Sequence, residues 1–308
     1  MSRDEFGGAS LPWRGPGPGR PDLPLPPDRM PLRRGGVWRK RWRYVAAFCS
    51  ELLLCAARVQ VGPLGQTFWA VWDREGRRMW ERTKLLVPGA RGEVWTEERG
   101  GDGGLIYYAQ GNGPLVRIDG RHPDAGEVRA FLRVGRGEWV EAVCPSGEGE
   151  YVWTRKRAGV PIECDVRIGE RRWRVEASGI EDESAGYHPH RTVWSWSAGV
   201  GRTVDGRSVG WNLVSGINDP PQRSERAVWV GGKPFEPGQV TFDGLEAITF
   251  ADGARLAFAS EVERRREENR LLVRYTYRQP FGRFTGTIAG GLELERGLGV
   301  MEHHDARW

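Results

Sequence analysis

Three groups of side chains in this sequence could hold a ligand and move a proton. The densest is Gly186-Tyr187-His188-Pro189-His190-Arg191-Thr192-Val193-Trp194-Ser195-Trp196-Ser197-Ala198-Gly199. Side chains on an extended strand alternate between its faces. His190, Thr192, Trp194 and Trp196 would then share one surface, and Arg191, Val193, Ser195 and Ser197 the other. Two indoles beside an imidazole make an aromatic floor with a polar corner, which suits apolar or ring-shaped ligands. The plainer alternative is a core strand whose indoles pack between two lobes. Tyr187 and His188 lie at the entrance to this strand and join the candidate ligand contacts, as does Arg191.

The second group is Trp211-Asn212-Leu213-Val214-Ser215-Gly216-Ile217-Asn218, followed by Arg223-Ser224-Glu225. Asn212 and Asn218 each offer donors and an acceptor. Glu225 could pair with an arginine such as Arg191. Both amides could equally do no more than stabilise a turn. The third group joins Tyr275-Thr276-Tyr277-Arg278-Gln279 to Glu302-His303-His304-Asp305 near the end of the chain. Tyr275 and Tyr277 share a strand face, with Gln279 close behind. Adjacent His303 and His304 would point to opposite faces, so only one could sit beside Glu302. That spacing argues against a metal site, and no metal or other cofactor is expected. A lone imidazole such as His190 could still exchange protons near neutrality. The acid candidates are Asp182, Glu225 and Glu302. A carboxyl sunk in an apolar pocket keeps its proton at higher pH than one in water.

The elements that position these residues read as short strands and turns. The chain has 308 residues with 44 Gly and 15 Trp, enough for a large core. Strands are expected at 45–48, 52–61 and 67–72, the last two joined by a Gly62-Pro63-Leu64-Gly65 hairpin. Others fall at 105–109, 115–118, 128–134, 138–143, 151–155, 162–168 and 172–177. The second half is expected to follow the same style from 193 to 300. Glu261 to Asn269 could be a charged helix or two strand ends with a polar turn. Gly199-Val200-Gly201 reads as a hairpin turn. No amphipathic helical periodicity stands out, which predicts an all-β protein. Its form would be two antiparallel barrel or sandwich lobes in tandem. The polar stretch from Glu181 to Gly186 suggests a lobe boundary near 180–190, with lobes at 38–180 and 181–308.

Residues 1–37 form a Pro-, Gly- and Arg-rich tail expected to be disordered, because such a composition buries too little to offset chain entropy. Residues 1–43 carry ten bases and four acids, a local charge of +6 against +5 for the whole chain, so the remainder is near neutral at −1. A body of that charge disfavours nucleic acid as a partner. Cys49, Cys55, Cys144 and Cys164 show no CxxC spacing and read as small buried hydrophobes in a reducing, cytoplasmic setting. No run reaches the ~18 apolar residues of a spanning helix. Arg39-Lys40-Arg41-Trp42-Arg43 alternates base and aromatic, so residues 33–43 could touch an anionic membrane surface peripherally. P-loop, GxSxG, HExxH and dinucleotide-binding patterns are absent from the sequence.

From about Trp38 to Trp308 the chain resembles the DUF2804 family. The resemblance is carried by Thr154-Arg155-Lys156, Gly186-Tyr187, Arg191-Thr192-Val193-Trp194-Ser195-Trp196 and Gly210-Trp211-Asn212-Leu213. Ser224-Glu225 before Trp229, Gln279-Pro280-Phe281-Gly282 with Phe284 and Gly286, and Glu302-x-His304-x-x-x-Trp308 complete it. The chain departs from the family pattern at His190, where Arg is common, and at His188, near which Tyr is usual. More distantly it is similar to lipocalin-related proteins that include carotenoid 1,2-hydratase and tocopherol cyclase. That resemblance implies tandem lipocalin-like β-barrels holding a long apolar substrate, protonated by one buried acid. It supplies no catalytic residue by motif.

Three readings follow. The first is a binder of an apolar, lipid- or isoprenoid-like small molecule, extended to acid-catalysed hydration, cyclisation or isomerisation. The second is a carbohydrate-binding or carbohydrate-acting protein, which for hydrolysis needs two carboxylates ~5–9 Å apart. The third is a non-enzymatic interaction protein that uses its basic arm.

Overall fold

The computed structural model describes residues 10–16, 19–26, 28, 30–86, 94–96, 115–147, 149–270 and 273–307. The strand expected at 105–109 and the terminal Trp308 lie outside them. Among the described residues every helix or strand element is a strand, and none is a helix long and apolar enough to cross a membrane. The strands form two large antiparallel sheets. The first runs from Arg78–Leu86 through Leu64–Asp73, Leu52–Val61, Lys40–Phe48, Arg171–Gly186, Tyr151–Ile168, Gly126–Val134 and Leu115–His122 to Val94–Thr96. The second runs from Lys233–Phe235 through Ala227–Val230, Ser208–Ser215, Arg191–Thr203, Leu292–Arg307, Val273–Ile288, Arg255–Arg270 and Ala247–Phe250 to Val240–Asp243. Both sheets curl. Val94–Thr96 returns against Leu52–Val61, and Ser208–Ser215 approaches Val240–Asp243. The architecture is therefore all-β, with two curled antiparallel sheets in tandem.

Burial explains the sequence pattern. Strand Gly126–Val134 alternates: Val128, Ala130, Leu132 and Val134 point inward, and Glu127, Arg129 and Arg133 outward. Lys40–Phe48 and Leu52–Val61 do not alternate, because both of their faces are covered. Val45, Ala47, Leu52 and Leu54 fill the first lobe. Tyr44, Ala46, Phe48, Leu53 and Cys55 pack against Trp196, Ala198, Val200 and Phe281 of the second. A strand buried on both faces reads as a continuous apolar run. Each large side chain so buried contributes roughly 1.5–3 kcal/mol. A separate cluster of Val209, Trp211, Ile248, Phe284 and Leu292 fills the second lobe.

Several details differ from expectation. Glu181 to Gly186 is no break but the end of strand Arg171–Gly186, and the chain changes sheets at 187–190. Its acids are buried because they are matched. Arg43 donates to Glu181 at 2.6 Å, Arg157 grips the other oxygen, and Arg155 reaches Glu183 at 3.3 Å. Gly199 to Gly201 lies inside strand Arg191–Thr203 rather than at a turn. Residues 261–270 belong to strand Arg255–Arg270. Part of the arm expected to be disordered lies on the first lobe. Trp13–Gly15 pairs with Val140–Pro145, and Trp13, Leu25 and Met30 are buried against Tyr151, Trp153 and Tyr187. These three apolar residues supply the burial that the surrounding prolines lack. Of the basic run, Lys40 and Arg43 turn inward, so these two charges are withdrawn from any membrane-facing surface. All four cysteines are free thiols.

Candidate active site between the two sheets

Strand register brings the polar candidates onto the facing surfaces of the two lobes. On the first sheet Asp182 stands between Lys156 and Tyr44, and Ser184 between Thr154 and Trp42. On the second, Trp196 is opposite Glu302, and Trp194 is opposite His304, which is opposite Tyr277. Alternation then puts Trp42, Tyr44, Thr154, Lys156 and Asp182 on one side of the interface. Trp194, Trp196, Tyr277, Glu302 and His304 stand on the other.

Two buried carboxylate groups result. In the first, Lys156 Nζ donates to Asp182 Oδ1 and lies 3.5 Å from Glu225 Oε1. Trp42 Nε1 also donates to Asp182 Oδ1, at 3.2 Å. Asn218 Nδ2 donates to Glu225 Oε2 at 3.0 Å. Asn212 Nδ2 donates to the Glu225 main-chain carbonyl at 3.1 Å, and its Oδ1 accepts from Trp196 Nε1 at 2.8 Å. In the second group, Glu302 Oε1 accepts from Trp194 Nε1 and Oε2 from Gln279 Nε2, both at 2.9 Å. The Tyr277 hydroxyl also faces this carboxyl.

The two groups differ electrostatically. Glu302 has no ion-pair partner among the described residues. Burial, opposed by the Trp194 and Tyr277 hydrogen bonds and reinforced by the charge of Asp182, raises its pKa from 4.5 to about 7. Glu225 is also raised, by burial first, with Lys156 pulling the other way. Burial disfavours the Lys156 ammonium, but Asp182 and Glu225 outweigh it and hold that group above its ordinary value. His188 is pushed down to about 3 by burial and then by Lys40 and Lys156. His304, half-buried, is also lowered, by burial first and then by His303. Both imidazoles are therefore neutral at pH 7.

Rings from both sheets surround these groups. His188 stacks on Trp42 at 5.2 Å, and Trp42 lies nearly parallel to Trp194, 9° apart with centroids at 6.4 Å. Trp194 meets His304 at 4.1 Å, and His304 meets Tyr277 at 5.5 Å and Tyr275 at 5.8 Å. Tyr44 meets Trp196 edge-on at 5.5 Å. Behind them Arg264 lies over Phe68 and Tyr277, held by Glu81 at 2.9 Å.

Asp182, Glu225 and Glu302 thus gather at one interface, with His188, Trp194, Trp196, Asn212, Asn218, Tyr275, Tyr277, Gln279 and His304. Three candidates lie apart. His190 precedes the strand and is exposed. Arg191 is exposed and bonds Asp305 at 3.1 Å, so the expected pair with Glu225 is not formed; Lys156 occupies that place. Tyr187 turns to the arm and donates to the Pro31 carbonyl at 2.8 Å. Sequence reasoning missed Lys156 and Trp42 as site residues. Lys156 was visible as part of Thr154-Arg155-Lys156. Trp42 was masked by the arginines around it. Among the described residues no group of three or more His, Cys, Asp or Glu is placed to hold a metal.

Solved structures similar to this chain include an AttH assignment from Nitrosomonas europaea, at 14% identity, with 91% of this chain and 97% of that one covered and a TM-score of 0.44. Kievitone hydratase from Nectria haematococca is 7% identical, with 87% and 88% covered and a TM-score of 0.47. CghA is 10% identical, with the same coverage and a TM-score of 0.40. No curated protein matches the chain. Residues 27–308 match the family described as Domain of unknown function (DUF2804), and the chain belongs to that family.

Proposed function

We propose that this protein binds an apolar small molecule between its two sheets and protonates it from Glu302. The observation that carries the reading is a buried carboxyl framed by indole and phenol rings, without an ion pair among the described residues, whose pKa burial raises to about 7. A proton donor works best when its pKa lies near the working pH. The step breaks the Glu302 O–H bond and forms a C–H bond on one carbon of an alkene. Positive charge is left on the neighbouring carbon and a carboxylate on Glu302. Ring faces such as those of Trp42, Trp194 and Tyr277 stabilise a cation by about 0.5–2 kcal/mol each.

Completion takes one of three routes. Water adds and loses a proton, an internal double bond closes a ring before proton loss, or an adjacent C–H bond releases its proton. Each returns a proton to Glu302, so each is catalytic. The charge of Asp182 favours the protonated form of Glu302, and Lys156 pairs with Asp182 beside it. The packed rings support an apolar ligand over a sugar. The indole, amide and ammonium donors here are already spent on neighbouring acceptors, whereas a sugar would need many free. His188 Nε2 is a buried exception without a hydrogen-bond partner among the described residues, which suits one hydroxyl or carbonyl on an otherwise apolar molecule. Native mass spectrometry of the protein after exposure to an isoprenoid and lipid extract tests the binding. A stoichiometric adduct that weakens at least tenfold in Trp194→Ala supports the reading. Equal adducts in both proteins, or none, would remove it.

A further inference from the structure

The arm that lies on the first lobe also reaches the second, and it reaches it at the site. Trp13 is the anchor. Its ring is buried with Leu25 and Met30 against Tyr151, Trp153 and Tyr187, while its backbone pairs with Val143. Gly15 permits this, since a Cβ there would stand 2.5 Å from the Trp13 ring. Arg20 ties the next segment down through Glu141 at 2.9 Å. Alternation along the short strand sends Arg14 the other way, toward the second lobe. Its guanidinium donates to the main-chain carbonyls of Ser224 and, at 3.0 Å, Arg226. These are the two residues that flank Glu225. Arg223 answers by donating to the Pro12 carbonyl at 3.4 Å.

The segment so held, residues 216–226, has reason to need holding. Asn218 and Arg223 adopt φ of 49° and 60°, a left-handed conformation that non-glycine residues occupy at a cost. Such conformations persist only where surrounding contacts over-determine them. Some contacts are internal: Glu236 accepts from Ser224 N at 2.7 Å and from its hydroxyl at 2.8 Å, and Glu225 N donates to the Asn218 carbonyl at 3.3 Å. From outside the lobe, Lys156 reaches the Glu225 side chain and Arg14 donates to the backbone on both sides of it.

We propose that the N-terminal arm is a strap that positions Glu225, with Arg14 as the positioning residue. Trp13 fixes the strap to the first lobe, and Arg14 pins the carbonyls on both sides of Glu225. The carboxylate is thereby kept against Asn218 and within reach of Lys156. The strap precedes residue 27, where the family match begins, so this chain carries a site support outside the segment that defines the family. The proposal rests on Glu225 belonging to the site described above.

The test uses the full chain with Arg14→Ala and Arg14→Lys. Hydrogen exchange should accelerate roughly ten- to hundredfold across 216–226 in Arg14→Ala, the loss expected for a charged donor to backbone. The pairing of Leu256 with Gly286, remote from the arm, serves as the internal control and should be unchanged. Arg14→Lys keeps a cation without the fork and should lie between. A carboxyl titration followed by carbon-13 NMR should show the Glu225 pKa rising further, as the contacts to Lys156 and Asn218 that lower it loosen, while that of Glu302 stays put. A merely structural role would move both or neither. Unchanged exchange across 216–226 in Arg14→Ala, with the strap still protected, would overturn the proposal. Should Arg14→Ala fail to fold, Arg14→Lys decides it in the same way. Neither readout needs a ligand, so this inference stands or falls separately from proton transfer.

Discussion

Replacing Glu302 by Gln should change how stability depends on pH, by an amount that follows from the site. Burial raises this carboxyl from 4.5 to about 7 in the folded protein. Between those values the native state keeps a proton that the unfolded chain has released. Stability from this group is therefore fully present below the unfolded value and declines as pH rises through the folded one. At 1.36 kcal/mol per pKa unit, the interval is worth about 3 kcal/mol. Gln cannot titrate. The stability difference between wild type and Glu302→Gln should shift by about 3 kcal/mol between about pH 4 and about pH 8, with Gln favoured at high pH. A constant offset is expected too. The new amide faces two donors, Trp194 Nε1 and Gln279 Nε2, and one must lose its acceptor. That costs about 1–3 kcal/mol at every pH and cancels in the comparison. Urea unfolding of both proteins at five pH values measures it, because titrations elsewhere are common to the pair. Parallel curves between pH 4 and pH 8 would refute the claim that Glu302 holds its proton near neutrality.

Three further outcomes follow. Lys156→Met should destabilise by about 3–5 kcal/mol at neutral pH, by leaving Asp182 and Glu225 as buried carboxylates without their cation, and part of that loss should return on acidification; urea midpoints at two pH values check it. Trp194→Phe keeps a ring but removes the indole donor to Glu302, so the Glu302 pKa should rise further, read by carbon-13 NMR. Gly199→Ala should destabilise by about 1–3 kcal/mol, since its Cβ would stand 2.3 Å from the buried Trp211 ring and 2.7 Å from the Leu298 carbonyl; thermal unfolding measures it.

Residue pattern exposed some of this architecture and concealed the rest for physical reasons. Alternation and turn residues were enough for strands such as Gly126–Val134, and residue type placed Glu302 among three acid candidates without choosing between them. Burial on two faces erased alternation from Tyr44 to Ala57 and left a nearly continuous apolar run. Charges that neutralise one another look the same in sequence as charges in water, which is why Glu181 to Gly186 read as a break. Long-range pairing was equally hidden. Lys156 is 26 residues from Asp182 and shares a salt bridge with it, and only the register of two strands brings Glu225 to the same ammonium. His190 failed as a candidate because strand Arg191–Thr203 begins one residue after it. The arm misled by its average composition, when Trp13, Leu25 and Met30 were what mattered.

Deuterium transfer tests the central claim most directly. Wild type and Glu302→Gln would each be incubated in D2O with a panel of alkene-bearing isoprenoids, and the products read by mass spectrometry. The account predicts carbon-bound deuterium, with or without added water, in at least one compound with wild type, and at least a hundredfold less with Glu302→Gln. Equal deuterium incorporation by the two proteins, or none in any compound that binds between the sheets, would contradict it.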